Sequence, residues 1–215
     1  MTLNPLILQK MNTPHHASSI EILKSIALEA GAIVRKGFAA SKEITHKGTA
    51  DLVTQYDVAT EQFIIEKLRV AFPEHTLIGE ETHRGDFGTV FDKAIYIDPI
   101  DGTLNYASDL PLFAVMAAAL VKGEVVAAVI HDPVVADSAM ALRGEGAWLA
   151  REDGKSSELK VAPGAAPSDM TGMVSWQYFP EPLRSEIPGR MPAFANVSSL
   201  RCCGHEYRLA AAGNG

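Results

Sequence analysis

Basic charge is what this sequence has least of relative to its acid: 19 Lys and Arg against 26 Asp and Glu leave a formal net charge of −7. Without a basic excess it lacks the electrostatic grip that nucleic acids and anionic membrane surfaces require. Cysteine is equally sparse, with Cys202 and Cys203 the only two. Adjacent cysteines rarely meet disulfide geometry, and no CxxC or Cys/His spacing marks a zinc site. The expectation is two reduced thiols in a cytoplasmic protein. Long apolar runs are missing too, because even Phe113 to Val121 is interrupted by Lys122, Gly123 and Glu124. What remains, 215 residues with 47% hydrophobic and only 7% aromatic content, is globular in composition and long enough for a sizeable core.

Residues 1–17 read as a flexible leader, since the apolar Pro5-Leu6-Ile7-Leu8 has neither a basic flank nor the length of a signal core. Residues 18–215 read as one domain. Ser18-Ser19-Ile20-Glu21 has capping-box form, and Ile22, Ile26, Ala30 and Ile33 or Val34 recur at helical spacing up to Gly37. A second helix is expected from near Asp57 to Pro73, with Val58, Phe63, Ile64, Leu68 and Phe72 inward. Ala94 to Ile97 reads as a short buried strand that delivers Asp98 at its end. An antiparallel meander follows: Phe113–Val121, Val125–Ile130, Ser138–Leu142 and Ala147–Leu149, with turns at Lys122-Gly123-Glu124 and Asp132-Pro133. His205 to Ala212 opens another helix. Helices and strands in this order point to a layered α+β or α/β domain.

Four segments carry the chemistry: Asp51-Leu52-Val53-Thr54-Gln55-Tyr56-Asp57, Ile78-Gly79-Glu80-Glu81, Asp98-Pro99-Ile100-Asp101-Gly102-Thr103, and Arg201 to Gly213. Alone, Asp57 is an ordinary helix cap and Glu80-Glu81 a solvated turn. Asp98 to Thr103 is harder to read as a plain turn, for two carboxylates flank a proline directly after an apolar strand. Pro99 fixes one dihedral and Gly102 frees others, so the loop can aim both Asp side chains and the Ile100 carbonyl at one point. Such hard oxygen donors suit Mg2+, Mn2+ or Ca2+ and not zinc. Brought together bare, Glu80, Asp98 and Asp101 would raise one another's pKa, and a divalent cation removes that penalty. The same cation could bridge such an acidic site to a phosphate.

The order of DLVTxxD, IGEE and DPIDGT resembles the inositol monophosphatase family, and the likeness runs from about Ser18 to the last residue. The resemblance implies a Mg2+-dependent phosphomonoesterase acting on a small phosphorylated metabolite, inositol phosphate-like, by direct attack of water. It implies Glu80, Asp98, the Ile100 carbonyl and Asp101 as metal ligands, and Asp57 and Thr103 as the pair that activates water. Gly102 and Thr103 would receive phosphate through their amides, while Gly204 and His205 would lie on the substrate side. Gly144-Glu145-Gly146-Ala147 resembles a later family turn. An αβαβα sandwich and a homodimer are further expectations. The family's Trp-Asp dipeptide has no counterpart, because Trp148 and Trp176 precede Leu149 and Gln177. The domain is therefore expected to be truncated at its C-terminal end, with an incomplete second metal site. A non-catalytic relative that binds metal or a partner is the alternative from another class.

Two other chemistries fail on single residues. Pro99 stands where a covalent Asp phosphatase would need its nucleophile, and Leu149 stands where the third glycine of a dinucleotide fingerprint belongs.

Overall fold

The computed structural model describes residues 14–47, 52–86 and 88–213. The leader's first 13 residues and Asp51 of the first motif lie outside them. Helix α1 (Pro14–Phe38) starts four residues before the expected cap at Ser18. Its inward stripe is Ile20, Leu23, Ala27, Ala30 and Val34, at 3–4 residue steps. Ile22, expected inside, is 37% exposed. The apolar pattern is wide enough to allow either face, and packing against the sheet selected the one through Leu23.

Helix α2 (Gln55–Ala71) is capped by Thr54, with Asp57 as the reciprocal partner of a capping box. The inner face differs from expectation. Its buried residues are Asp57, Thr60, Glu61, Ile64 and Leu68, whereas Val58 is 36% exposed. Three of these five buried residues are polar or charged, which is costly unless they are bonded.

A hairpin of β1 (Ile44–His46) and β2 (Leu52–Thr54) leads into α2. The main sheet contains β3 (Thr76–Gly79), β4 (Lys93–Asp101), β5 (Ala114–Val121), β6 (Glu124–Asp132), β7 (Asp137–Leu142), β8 (Gly146–Arg151) and β9 (Ser156–Glu158) in that order. The β3–β4 pair is parallel and every later pair antiparallel. The meander forms as its alternation and turns indicate. Strand β3 went unread because four residues offer too little periodicity.

Strand β4 does not stop at Ile97. It continues through Asp101 with a bulge: Asp98 pairs with Met116 and Asp101 with Ala114, so three steps on β4 oppose two on β5. Side chains alternate faces along a strand, so without the extra residue Asp98 and Asp101 would point to opposite sides. The bulge puts both on the Ala114/Met116 face and leaves Ile97 and Ile100 in the core with Val115, Ala117 and Ala119.

Helices α1 and α2 cover that core face. After the short α3 (Thr103–Ala107) and the meander, α4 (Leu183–Arg190), a two-stranded parallel sheet of β10 (Thr171–Met173) and β11 (Asn196–Ser198), and α5 (Cys203–Ala211) complete the described chain. At Gly204 an added Cβ would lie 2.9 Å from Met116 Sδ and 3.0 Å from Ala114 Cβ. Helix α5 thus packs on the sheet face opposite α1 and α2. The layering is that of an α+β sandwich, as expected. Among the described residues no helix is long and apolar enough to cross a membrane.

Candidate metal and phosphate site

Three motifs meet at the C-terminal ends of the parallel strands β3 and β4. The Glu80 amide donates to the Ile97 carbonyl at 3.1 Å, which sets the Gly79-Glu80-Glu81 turn beside Asp98. Asp98 Oδ1 is fully buried and has no hydrogen-bond partner. Its pKa is pushed well above the carboxylate range, first by burial and then by the neighbouring charges of Glu80, Asp101 and Asp57. Glu81 is pushed up to about 7, because burial and the charges of Glu80 and Asp57 outweigh its ion pair with Lys47. That pair is 2.9 Å long, and Lys47 also lies 3.7 Å from Glu80.

Asp57 is held on both oxygens. Its Oδ2 accepts from the Thr54 hydroxyl at 2.5 Å and the Thr54 amide at 2.8 Å, and its Oδ1 lies 3.1 Å from the Thr103 hydroxyl. Burial nonetheless dominates and raises its pKa. Thr103 Oγ also lies 3.0 Å from the Ile100 carbonyl, so the first and third motifs are joined by one hydroxyl. Gly102 makes the turn with φ 90°, and a Cβ there would meet the Leu112 carbonyl at 2.9 Å. Only glycine fits that conformation without strain.

Asp101 is engaged differently. Its carboxylate receives the Cys203 amide at 3.1 Å, the Gly204 amide at 2.6 Å and the Cys202 thiol at 2.8 Å, all from the start of α5. Burial and Asp101 together push the Cys202 thiol up. The expected convergence of Glu80, Asp98 and Asp101 is therefore partial: Asp98 faces the other two, but Asp101 reaches across to the helix. Among the described residues no group of three His, Cys, Asp or Glu side chains stands at metal-cage spacing. The donor set still fits a hard cation, since an orphaned buried carboxylate oxygen amid like charges is stabilised by positive charge.

Gly204 sits at the Asp101 carboxylate, whereas the His205 ring turns away, its Nε2 3.2 Å from the Phe113 carbonyl and 3.8 Å from Asp132. Sequence reading missed the anchor next to it: Arg208 pairs with Asp132 at 3.3 Å and with Asp137, and all three side chains are nearly buried. Glu61 was also missed, although its position one helical turn after Asp57 was a visible signal. A cavity of about 650 Å³ opens on the far side of α5, lined by Met170, Met173, Phe179, Cys203, Tyr207 and others. Its lining is mostly apolar, but Glu206 is part of it, and Cys203, whose amide bonds Asp101, stands between it and the acidic site.

A sequence profile described as "Inositol monophosphatase family" matches residues 16–207. Inositol monophosphatase 2 of Solanum lycopersicum is 36% identical over 140 residues, which is 64% of this chain and 52% of that protein. The Nus factor SuhB of Escherichia coli K12 is 39% identical over 132 residues, 60% of this chain and 49% of its own length. The chain thus spans about half the length of the curated relatives it matches. Among solved structures, the extragenic suppressor protein suhB of Bartonella henselae superposes with a TM-score of 0.75 at 25% identity, covering 91% of this chain and 75% of that one.

Proposed function

Because this chain belongs to the inositol monophosphatase family, we propose that its acidic site is that of a Mg2+-dependent phosphomonoesterase acting on a small phosphorylated metabolite of the inositol phosphate kind. The observation that carries the reading is the buried, unpartnered Asp98 Oδ1 set among carboxylates and beside the Thr103–Asp57 pair. Glu80, Asp98, the Ile100 carbonyl and Asp101 are the donors that would hold Mg2+, with Mn2+ as a substitute. Bound there, the ion supplies Lewis acidity to a phosphoryl oxygen and acidity to a water.

The chain's own groups do the rest. Water is oriented by Thr103 Oγ, which passes its proton to Asp57 as it takes one from the water, so the oxygen attacks phosphorus as hydroxide while the ester P–O bond breaks and the alcohol oxygen leaves, taking a proton from solvent. A raised Asp57 pKa keeps that carboxylate basic enough for the role. The Gly102 and Thr103 amides receive phosphate oxygens, and Pro99 leaves no Asp in register for a phosphoenzyme. Gly204, in the first turn of α5, would border the leaving group, whereas the His205 ring is turned toward Phe113 and Asp132. We place the enzyme in the cytoplasm as a homodimer, a setting that two free cysteines suit.

The test is a phosphate-release screen with Mg2+ over inositol phosphates, a nucleoside bisphosphate, a sugar bisphosphate and histidinol phosphate. Asp98→Asn should lower release at least about a thousandfold while the fold persists, since a metal ligand contributes several kcal/mol to the transition state. Retention of more than about a tenth of the rate under saturating Mg2+ sinks the assignment. The likeness to a protein named as a Nus factor supports a second reading, a metal-binding partner protein without turnover. Mg2+ binding with no release on any compound would favour it.

A further inference from the structure

We infer that Glu61 is a positioning residue: it sets where the Glu80 side chain starts, and through that the affinity of the acidic site for a divalent cation. The inference rests on the metal reading of Glu80 and Asp98 above and extends it to a residue that touches neither metal nor substrate.

The argument starts from helix periodicity. Asp57 and Glu61 are one turn apart, so they share the inner face of α2, and both are fully buried. Each holds one of the converging motifs. Asp57 bonds Thr103 of the β4 turn, while Glu61 Oε2 accepts the Glu81 amide at 2.7 Å. The amide just before, that of Glu80, is held by the Ile97 carbonyl. Two successive amides are thereby fixed, one by the strand that carries Asp98 and one by α2, and the Glu80 Cα lies between them.

Gly79 belongs to the same device. A Cβ at that position would fall 2.2 Å from the Glu61 carboxyl carbon, so only glycine lets the carboxylate press against the strand end. The other oxygen, Glu61 Oε1, is buried without a partner. A group that served packing alone would be better replaced by an apolar side chain, because a buried carboxylate with an unmet oxygen is costly. A rigid acceptor for the Glu81 amide explains why a polar side chain of this length stands there.

Reach and charge can be separated with two variants. Glu61→Asp keeps the charge but falls one methylene short of the Glu81 amide, whereas Glu61→Gln keeps the reach and loses the charge. Mn2+ affinity is read by calorimetry, thermal unfolding monitors the fold, and Asp98→Asn serves as the control that should abolish binding. The expected result is Mn2+ binding at least about tenfold weaker in Glu61→Asp and within about threefold of wild type in Glu61→Gln, the range seen when a metal ligand's support is removed. Gly79→Ala, which drives the carboxylate off its amide, should match Glu61→Asp. Folded Glu61→Asp with unchanged affinity overturns the inference alone, as does Glu61→Gln weakened as much as Glu61→Asp. Absence of Mn2+ binding in the wild-type chain overturns the metal reading itself, and the inference with it.

Discussion

The two halves of this molecule are held by different forces. The half built from α1, α2 and the main sheet shares one apolar core that runs from Ile20 to Leu142. The half built from β10, β11, α4 and α5 buries little: α4 has no buried residue, and α5 has only Gly204. Its attachments are polar instead. Asn105 donates to the Leu200 carbonyl at 2.7 Å, Asp101 accepts from the start of α5, and Arg208 grips Asp132 and Asp137. Tyr207 and Leu209 of α5 remain 67% and 36% exposed. Apolar burial sums over area without direction, whereas each polar bond fixes an orientation. The acidic site lies on the seam, with its walls made by the first half and its Asp101 side closed by the second.

The contrast can be attacked first through the core. Leu68, fully buried between α2 and the sheet, should cost about 3 kcal/mol when changed to Ala, from lost transfer energy and the cavity left behind. Urea unfolding should show it as a shift of the whole transition. A local loss confined to α2 would mean that the two layers are not one cooperative unit.

Arg208→Met should cost less, about 2 kcal/mol, because Asp132 keeps the Val134 and Val135 amides as partners when the cation goes. Here the expected signature is spatial. Amide exchange should quicken along α5 while β5 and β6 keep their protection. Equal loss in the main sheet would show that the second half is not separately anchored.

A further effect is expected from pH. Glu81 is raised to about 7 in the folded chain, and Asp57 and Asp98 are raised as well. The folded state therefore binds these protons more tightly than the unfolded one. The contribution of these three groups to stability should be fullest below the ordinary carboxylate range and decline as pH rises toward about 7. Saturating Mg2+ should flatten the decline, because it stabilises the charged forms. A flat profile without Mg2+ would contradict the repulsion assigned to the seam.

Least of all, Tyr207→Ser on the exposed side of α5 should change unfolding free energy by no more than about 0.5 kcal/mol. A larger loss would mean that this surface is covered in solution.

Much of this was open to sequence reading because it depends on local chemistry. The meander is written in alternation and turn residues, and the joining of three acidic motifs in their residue types; the cap of α2, expected at Asp57, is Thr54, with Asp57 as its capping-box partner. Resemblance carried the assignment of Glu80, Asp98, Asp101, Asp57 and Thr103, and the structure sets Asp57 against Thr103 and Glu80 beside Asp98. Other features depended on neighbours far away in the chain. Whether Ile22 or Leu23 faces inward was decided by the sheet, since both lie within the apolar arc. The strand end expected at Ile97 became a bulge because β5 offered partners as far as Ala114. Glu61 drew no reading from the sequence; its role shows only where Gly79, 18 residues on, leaves room for it and the Glu81 amide gives it a donor. Periodicity records which side chains share a face; only tertiary packing decides what that face meets, and a buried polar group has meaning only through the partner it meets.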